Sequence, residues 1–190
     1  MTPECVDPRI ARSRATVVQA TTELLRTGGY SAVTIDAVSK ASGVARTTIY
    51  RHYASVAELV MAVLKDLRPP TECPGSADPA EDLRQMLRQV ADSVSTGLLP
   101  AMIEAVRRDP EFARLKDDWV LARRAETRQI LVRLVELGAL APHVDLEVVN
   151  DLLVGPLFYR ALMTGTPIDD AYIASLVTNV LTLATSDSQR

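Results

Sequence analysis

Residues 68–79, RPPTECPGSADP, place four prolines and a glycine in a dozen positions. Proline fixes φ and supplies no backbone N–H, so neither a continuous helix nor a central strand passes through such a stretch. It divides the 190-residue chain into a short head and a longer body. The charge changes sign at the same place. Residues 1–68 hold nine Lys/Arg against six Asp/Glu, and residues 69–190 hold twelve against eighteen. The net charge of −3 thus conceals a positive head on a negative body, a modest hint that the head meets something anionic.

On both sides of the break the apolar residues recur at helical spacing, and no stretch alternates apolar with polar long enough to suggest a sheet. Apolar residues make up 47% of the chain, ample for a core. The expected fold is all-α. A first helix spans about Ser13 to Thr27, with Val17, Thr21, Leu24, Val18 and Leu25 inward and Gly28-Gly29 as its stop. Thr34 is a plausible N-cap for a short helix over Ile35–Ser42 that ends at Gly43. A third spans Ala45 to Tyr53, and the capping box Ser55-Val56-Ala57-Glu58 opens a fourth that reaches Leu67. Beyond the break, Asp78-Pro79-Ala80-Glu81 starts a fifth helix. Further helices are expected at Pro100–Arg107, from Asp109 to Leu137, from Asp145 to Met163, and from Asp169 or Asp170 to Thr185. Pro156 is expected to kink the penultimate one.

The segment 43–55, GVARTTIYRHYAS, carries more chemistry than packing requires. With Ile49 at the centre of the buried side, Ala45 and Tyr53 fall within about 40° of it, at ~100° per residue. Thr47 and Arg51 point the opposite way, with Thr48 and Tyr50 on the flanks. Hydroxyls and guanidinium groups donate to phosphate oxygens, and Arg and Thr also reach base edges. Two short helices joined by a glycine-containing turn, the second with such a face, make a helix-turn-helix.

Residues 20–59, ATTELLRTGGYSAVTIDAVSKASGVARTTIYRHYASVAEL, resemble the N-terminal domain of the TetR family of bacterial transcriptional regulators. The first helix, the Gly-Tyr bridge, Thr34, Ala41-Ser42-Gly43-Val44, Thr48-Ile49-Tyr50 and the start of the fourth helix follow in order with the family's spacing. Residues 155–169, GPLFYRALMTGTPID, resemble one subgroup of the family's C-terminal domains. The resemblance implies a DNA-binding domain over 1–67 with a flexible arm over 1–12, a linker over 68–79, and a ligand-binding and dimerisation domain over 80–190. It also implies roles. Thr34 meets a phosphate, Arg46, Thr47 and Thr48 face the major groove, and Tyr50 and His52 fix the third helix against the DNA backbone. Two positions depart from the family pattern. Val56 stands where a phosphate-binding lysine is usual, and Ala45 where a serine cap is common, at a cost of about 1 kcal/mol. Arg9, Arg12 and Arg14 are either a solvated tail or an arm that compensates.

In the body, the long helix has a stripe of Phe112, Leu115, Trp119, Ala122, Glu126, Ile130, Leu134 and Leu137, interrupted by Glu126. Either Glu126 reaches sideways to a base such as Arg123, or it is a polar anchor in a mostly apolar ligand cavity. Met86, Met102 and Trp119 either line that cavity or are plain core. Leu146, Val149, Leu153, Leu157, Ile173, Leu176, Val177, Val180 and Leu181 are rich enough in apolar area to be buried. The family's last two helices form a four-helix dimer interface, for which Leu153, Leu157, Ile173, Val177, Val180 and Leu181 are the candidates.

The resulting expectation is a homodimeric repressor that binds a palindromic operator in double-stranded DNA and is released by a small apolar or amphipathic effector. The rivals are a repressor with no small-molecule effector, and a helical ligand carrier or enzyme with an incidental helix-turn-helix. No phosphate loop, nucleophile elbow or convincing carboxylate pair supports catalysis, so no catalytic residue is assigned. With His52 and His143 the only histidines, no metal and no cofactor is expected. Cys5 and Cys73 are unpatterned, and Cys73 reads as an inert loop thiol. Apolar runs such as Leu152–Phe158 fall far short of the ~20 residues of a membrane span. The N-terminus lacks a signal peptide's apolar core, so a cytoplasmic location is expected.

Overall fold

The computed structural model describes residues 8–67 and 76–185. Residues 1–7, with Cys5, and 68–75, with Cys73 and most of the proline-rich linker, lie outside the described residues. Within them the regular elements are all helical. They are α1 (Pro8–Gly28), α2 (Ile35–Ser42), α3 (Arg46–His52), α4 (Val56–Leu67), α5 (Pro79–Val94), α6 (Leu99–Arg108), α7 (Pro110–Glu136), α8 (Leu146–Tyr159) and α9 (Asp170–Thr185). A 3-10 turn over Tyr30–Ala32 follows α1, and a π-helical turn over Arg160–Thr164 follows α8.

Local chemistry sets most of the helix starts. Asp78 accepts from the backbone N–H groups of Ala80 and Glu81, and Asp145 from those of Glu147 and Val148. Asp169, not Asp170, caps α9, accepting from Tyr172 N–H at 2.8 Å. The capping box of α4 is offset. Ser55 Oγ accepts from Glu58 N–H at 3.1 Å, but the Glu58 carboxylate reaches Ala54 N–H, one residue earlier than the usual partner. α1 starts at Pro8, five residues before the expected Ser13, because proline is well suited to a first helical position. Arg12 and Arg14 therefore lie on a helix and not in an arm. Beyond α8, where Pro156 has no N–H to give Leu152's carbonyl, helical structure continues to Thr164 in the wider π form.

The chain forms two compact units. The first contains residues 8–67 together with 97–117, so α6 and the beginning of α7 belong with the helices before the linker. Here α1 packs on α2 and α4, α2 on α3, and α6 against the Tyr30–Ala32 turn. The core contains Val17, Leu25, Val38, Ile49, Leu59, Val60, Val63, Ala105 and Phe112, each at most 2% exposed. Thr21 is fully buried among them and satisfies its hydroxyl on the carbonyl of Val17 at 2.8 Å.

The second unit contains, among the described residues, 76–96 and 118–185. In it α5 packs on α8 and α9, and α8 on α9. Leu83, Leu87, Leu131, Leu153, Leu157 and Val177 are fully buried. Arg133 donates to the buried Asp82 carboxylate at 2.8 Å, and the Arg160 guanidinium lies 3.4 Å from the centre of the Tyr172 ring. The buried line on α7 is not the expected stripe. Ala122 and Leu137 are exposed, whereas Arg123, Thr127 and Leu131 are buried beside Ile130 and Leu134. A helix of 27 residues changes neighbours along its length, so one projection does not hold from end to end.

Candidate nucleic-acid interface

Helix α3 has seven residues, too few to be stable alone. Ile49, 1% exposed, holds it down, and Tyr53 at 5% closes its end. Complete burial of side chains of this size contributes about 1.5–3 kcal/mol each. Ala45, expected on the inward side, is exposed. As the N-cap residue it makes no side-chain bond, and its carbonyl accepts from Thr48 and Ile49 N–H.

The turn before α3 is braced from both sides. Gly43 adopts φ 70° and ψ 5°, a left-handed conformation that costs a side-chain-bearing residue energy. Ser39 Oγ donates to the carbonyl of Val44 at 2.8 Å, and Ser42 Oγ accepts from Val44 N–H at 3.2 Å. These bonds fix where α3 leaves α2.

The outer face of α3 presents Arg46, Thr47, Tyr50 and Arg51, all exposed, with Tyr50 at 56%. Thr48 is half-buried. Thr34 is exposed at the start of α2, where its Oγ accepts from Ala37 N–H at 3.1 Å, leaving the hydroxyl proton to donate outward. Arg46 is not a loose cation: its Nε lies 2.9 Å from Oδ1 of Asp36 in the first turn of α2. His52 differs from expectation. It is half-buried, its ring stands edge-on to Tyr53, and its Nε2 is enclosed by protein with no hydrogen-bond partner among the described residues. That nitrogen faces inward and cannot reach a DNA phosphate directly.

A second polar cluster clasps the Gly29-Tyr30 turn. Tyr30 N–H donates to Glu104 Oε2 at 3.0 Å, Ser31 Oγ donates to the other carboxylate oxygen, and Arg108 donates to Ser31 Oγ at 2.6 Å. The Tyr30 hydroxyl donates to Asp109 Oδ2, while Asp109 Oδ1 caps α7 through Glu111 and Phe112 N–H. The Ser31 hydroxyl, working against some desolvation and joined by Tyr30 N–H and Arg108, holds the Glu104 pKa below its ordinary value. Burial opposes ionisation of Asp109, but the Tyr30 hydroxyl and the two backbone N–H groups outweigh it, and its pKa is lowered too. Burial first, and then the Asp109 carboxylate, push the Tyr30 phenol upward. Neither Glu104 nor the Asp36 pairing was anticipated from sequence, because each partner lies across a turn or on a distant helix.

Residues 17–63 match the family model described as bacterial regulatory proteins, tetR family. Residues 73–180 match that described as the tetracyclin repressor-like C-terminal domain. The chain belongs to the TetR family of bacterial transcriptional regulators. A relative in this TetR family, the DNA-binding transcriptional repressor TetR of Mycobacteroides abscessus, is 31% identical over 180 residues, covering 90% of this chain and 92% of its own. YdeS of Bacillus subtilis, an uncharacterised HTH-type transcriptional regulator, is 27% identical over 177 residues, 90% of this chain and 89% of its own. Among solved structures, the TetR family transcription regulator SCO0332 is 32% identical and aligns over 90% of this chain and 97% of its own with a TM-score of 0.64. TetR family members and these relatives are regulators of transcription, not enzymes. No helix among the described residues is long and apolar enough to cross a membrane.

The body residues singled out in the sequence fall as follows. Met86 is buried in the second unit, where its sulfur lies 3.9 Å from Thr127 Oγ; Trp119 is half-buried in the same unit. Glu126 pairs with Arg123 at 2.7 Å, and its other carboxylate oxygen is buried with no hydrogen-bond partner among the described residues. Met102 is buried in the first unit. Leu153, Leu157, Ile173, Val177 and Val180 are at most 5% exposed within the single chain, and Leu181 is half-buried. The first five form the protomer's own core. The apolar surface left uncovered on these elements is a different set: Val148, Leu152, Phe158, Tyr159, Leu162, Met163 and Leu183, between 38% and 73% exposed.

Proposed function

We propose that this regulator is a homodimer that binds a palindromic operator in double-stranded DNA through α3, and that a small apolar or amphipathic effector releases it. The observation that carries the DNA reading is the outer face of α3. Arg46, Thr47 and Tyr50 are exposed on a short helix whose position is fixed by Ile49 and by the braced Gly43 turn. Groups of these types supply base contacts and phosphate contacts. Thr34 adds a phosphate contact, and Thr48 a flanking one from its half-buried position. The repressor named among the relatives supports the sign of regulation, and the cytoplasm is the compartment where such a protein meets DNA.

Dimerisation is assigned to α8, the π-helical turn and α9. Val148, Leu152 and Tyr159 recur at intervals of four and seven, a stripe on one side of the α8 surface, and Met163 follows, exposed, in the π-helical turn. A twofold axis through such a surface sets two recognition helices against half-sites one helical turn or more apart. Effector binding is assigned to the second unit, with the unpartnered oxygen of Glu126 as a polar anchor and Met86 and Trp119, in the same unit, as candidate apolar contributors. The effector acts by favouring the state whose recognition helices are misplaced for the groove.

Selection from a random duplex pool with the purified protein at near-physiological salt tests this reading. The expected result is one enriched palindrome, whose affinity falls steeply as salt rises. Binding without sequence enrichment would refute it.

A further inference from the structure

We propose that Asp36 is the residue that aims Arg46, so that the guanidinium reads a guanine in each half-site instead of gripping a phosphate. The inference rests on the DNA-binding reading above and assigns the chemistry of one base contact. Asp36 sits in the first turn of α2 and Arg46 opens α3, so their ion pair spans the helix-turn-helix corner. Both side chains are more than half exposed, and a pair so well solvated contributes little to stability. Its consequence is geometric.

An arginine reads guanine by placing two N–H donors against O6 and N7. A free guanidinium offers two ways of doing so, with its two terminal nitrogens or with Nε and one of them. With one oxygen 2.9 Å from Nε, the Asp36 carboxylate crowds that side of the guanidinium and disfavours the second. Arg46's terminal nitrogens make no hydrogen bond among the described residues, and they remain as an end-on fork. The carboxylate also changes which partner suits Arg46. A cation with an anion against its stem is a poor ligand for phosphate, which the carboxylate repels. A neutral base edge carries no such penalty. Asp36 is itself held in place, because its helix is capped by Thr34 and the first turn of a helix favours a negative charge.

The test compares the full-length protein with Asp36→Asn, Arg46→Ala and the double variant. Each is measured on the selected operator, on operators substituted one base pair at a time, and on random duplex. Asp36→Asn is expected to lose about tenfold of the discrimination at one half-site guanine, the same position that Arg46→Ala relaxes. Its affinity for random duplex should stay equal or rise, because a negative charge has left the interface. The double variant should discriminate at that position no worse than Arg46→Ala alone. A merely structural role for Asp36 predicts weaker binding to every duplex, and that pattern would overturn the proposal. Unchanged discrimination in Asp36→Asn, or losses that simply add in the double variant, would overturn it while leaving the DNA reading intact. If the unsubstituted protein prefers no sequence, both fall together.

Discussion

Arg46 and Glu126 each pair with one neighbouring charge, yet they differ in what surrounds the pair. Arg46 is open to water on the outside of α3, so replacing it should leave the fold alone and act on DNA. Arg46→Ala should cost roughly 1–3 kcal/mol at one base position, measured as the affinity difference between the operator and its single-base variants. Glu126 is mostly enclosed, with one oxygen satisfied by Arg123 and the other by nothing among the described residues. A buried acceptor without a donor costs about 1–3 kcal/mol. A ligand that supplies the donor recovers that cost on binding. Once an effector is found by operator release, Glu126→Gln should weaken its binding at least several-fold, measured by titration calorimetry; unchanged affinity would remove Glu126 from the site. Sequence alone allowed both the ion pair and the cavity anchor for this residue. The pair was legible because three residues separate Glu126 from Arg123 on one helix. The orphaned oxygen was not, because it depends on which neighbours enclose it.

At the level of elements, the helix starts were the most legible feature, since each cap lies within three residues of the group it serves. Asp78, Asp145, Ser55 and Thr34 all act where their sequence context put them. What could not be read was the clasp on the Gly29-Tyr30 turn, whose partners are more than seventy residues apart. Gly29 adopts φ 70° and ψ −171°, a region open essentially to glycine, and a Cβ there would lie 2.7 Å from the Glu104 carboxylate. Gly43 also has positive φ but has open space around it. Gly29→Ala should therefore destabilise by about 2–3 kcal/mol, and Gly43→Ala by about 1 kcal/mol, in urea unfolding. The clasp also predicts a pH dependence. Glu104 and Asp109 have depressed folded-state pKa values, so their stabilising contribution is complete above about pH 5 and is lost as acid protonates them below their ordinary values of about 4. Glu104→Gln should lower stability at pH 7, shrink the loss of stability between pH 5 and pH 3, and converge with the unsubstituted protein at the acid end.

For the whole molecule, Leu153, Leu157, Ile173, Val177 and Val180, the residues expected at the dimer interface, are buried within the protomer, and the dimer surface proposed above uses other residues of the same elements. A periodic pattern tells which residues share a face, and two apolar faces on one helix look alike until one is covered. Leu153 and Leu157 lie within the protomer; Leu152 and Tyr159 remain outside. The two sets predict different failures. Leu153→Ala should cost about 2–5 kcal/mol of folding stability. Leu152→Lys should leave far-UV dichroism unchanged while shifting sedimentation at micromolar concentration from dimer to monomer and weakening operator binding. A monomer already present in the unsubstituted protein at that concentration would refute the dimer assignment.

The membership of residues 97–117 in the first unit bears on how such a regulator can be recombined. A proline-rich stretch such as 68–79 looks like a natural place to exchange one sensing body for another. Yet Phe112, fully buried, belongs to the first unit, where its ring packs against Tyr30 at 5.9 Å. A hybrid spliced at the linker would inherit the helix-turn-helix head without the aromatic plug and the carboxylates that complete it. Grafts that carry α6 and the opening of α7 along with the head are the ones that should stay folded, so the unit of inheritance here is discontinuous in the gene.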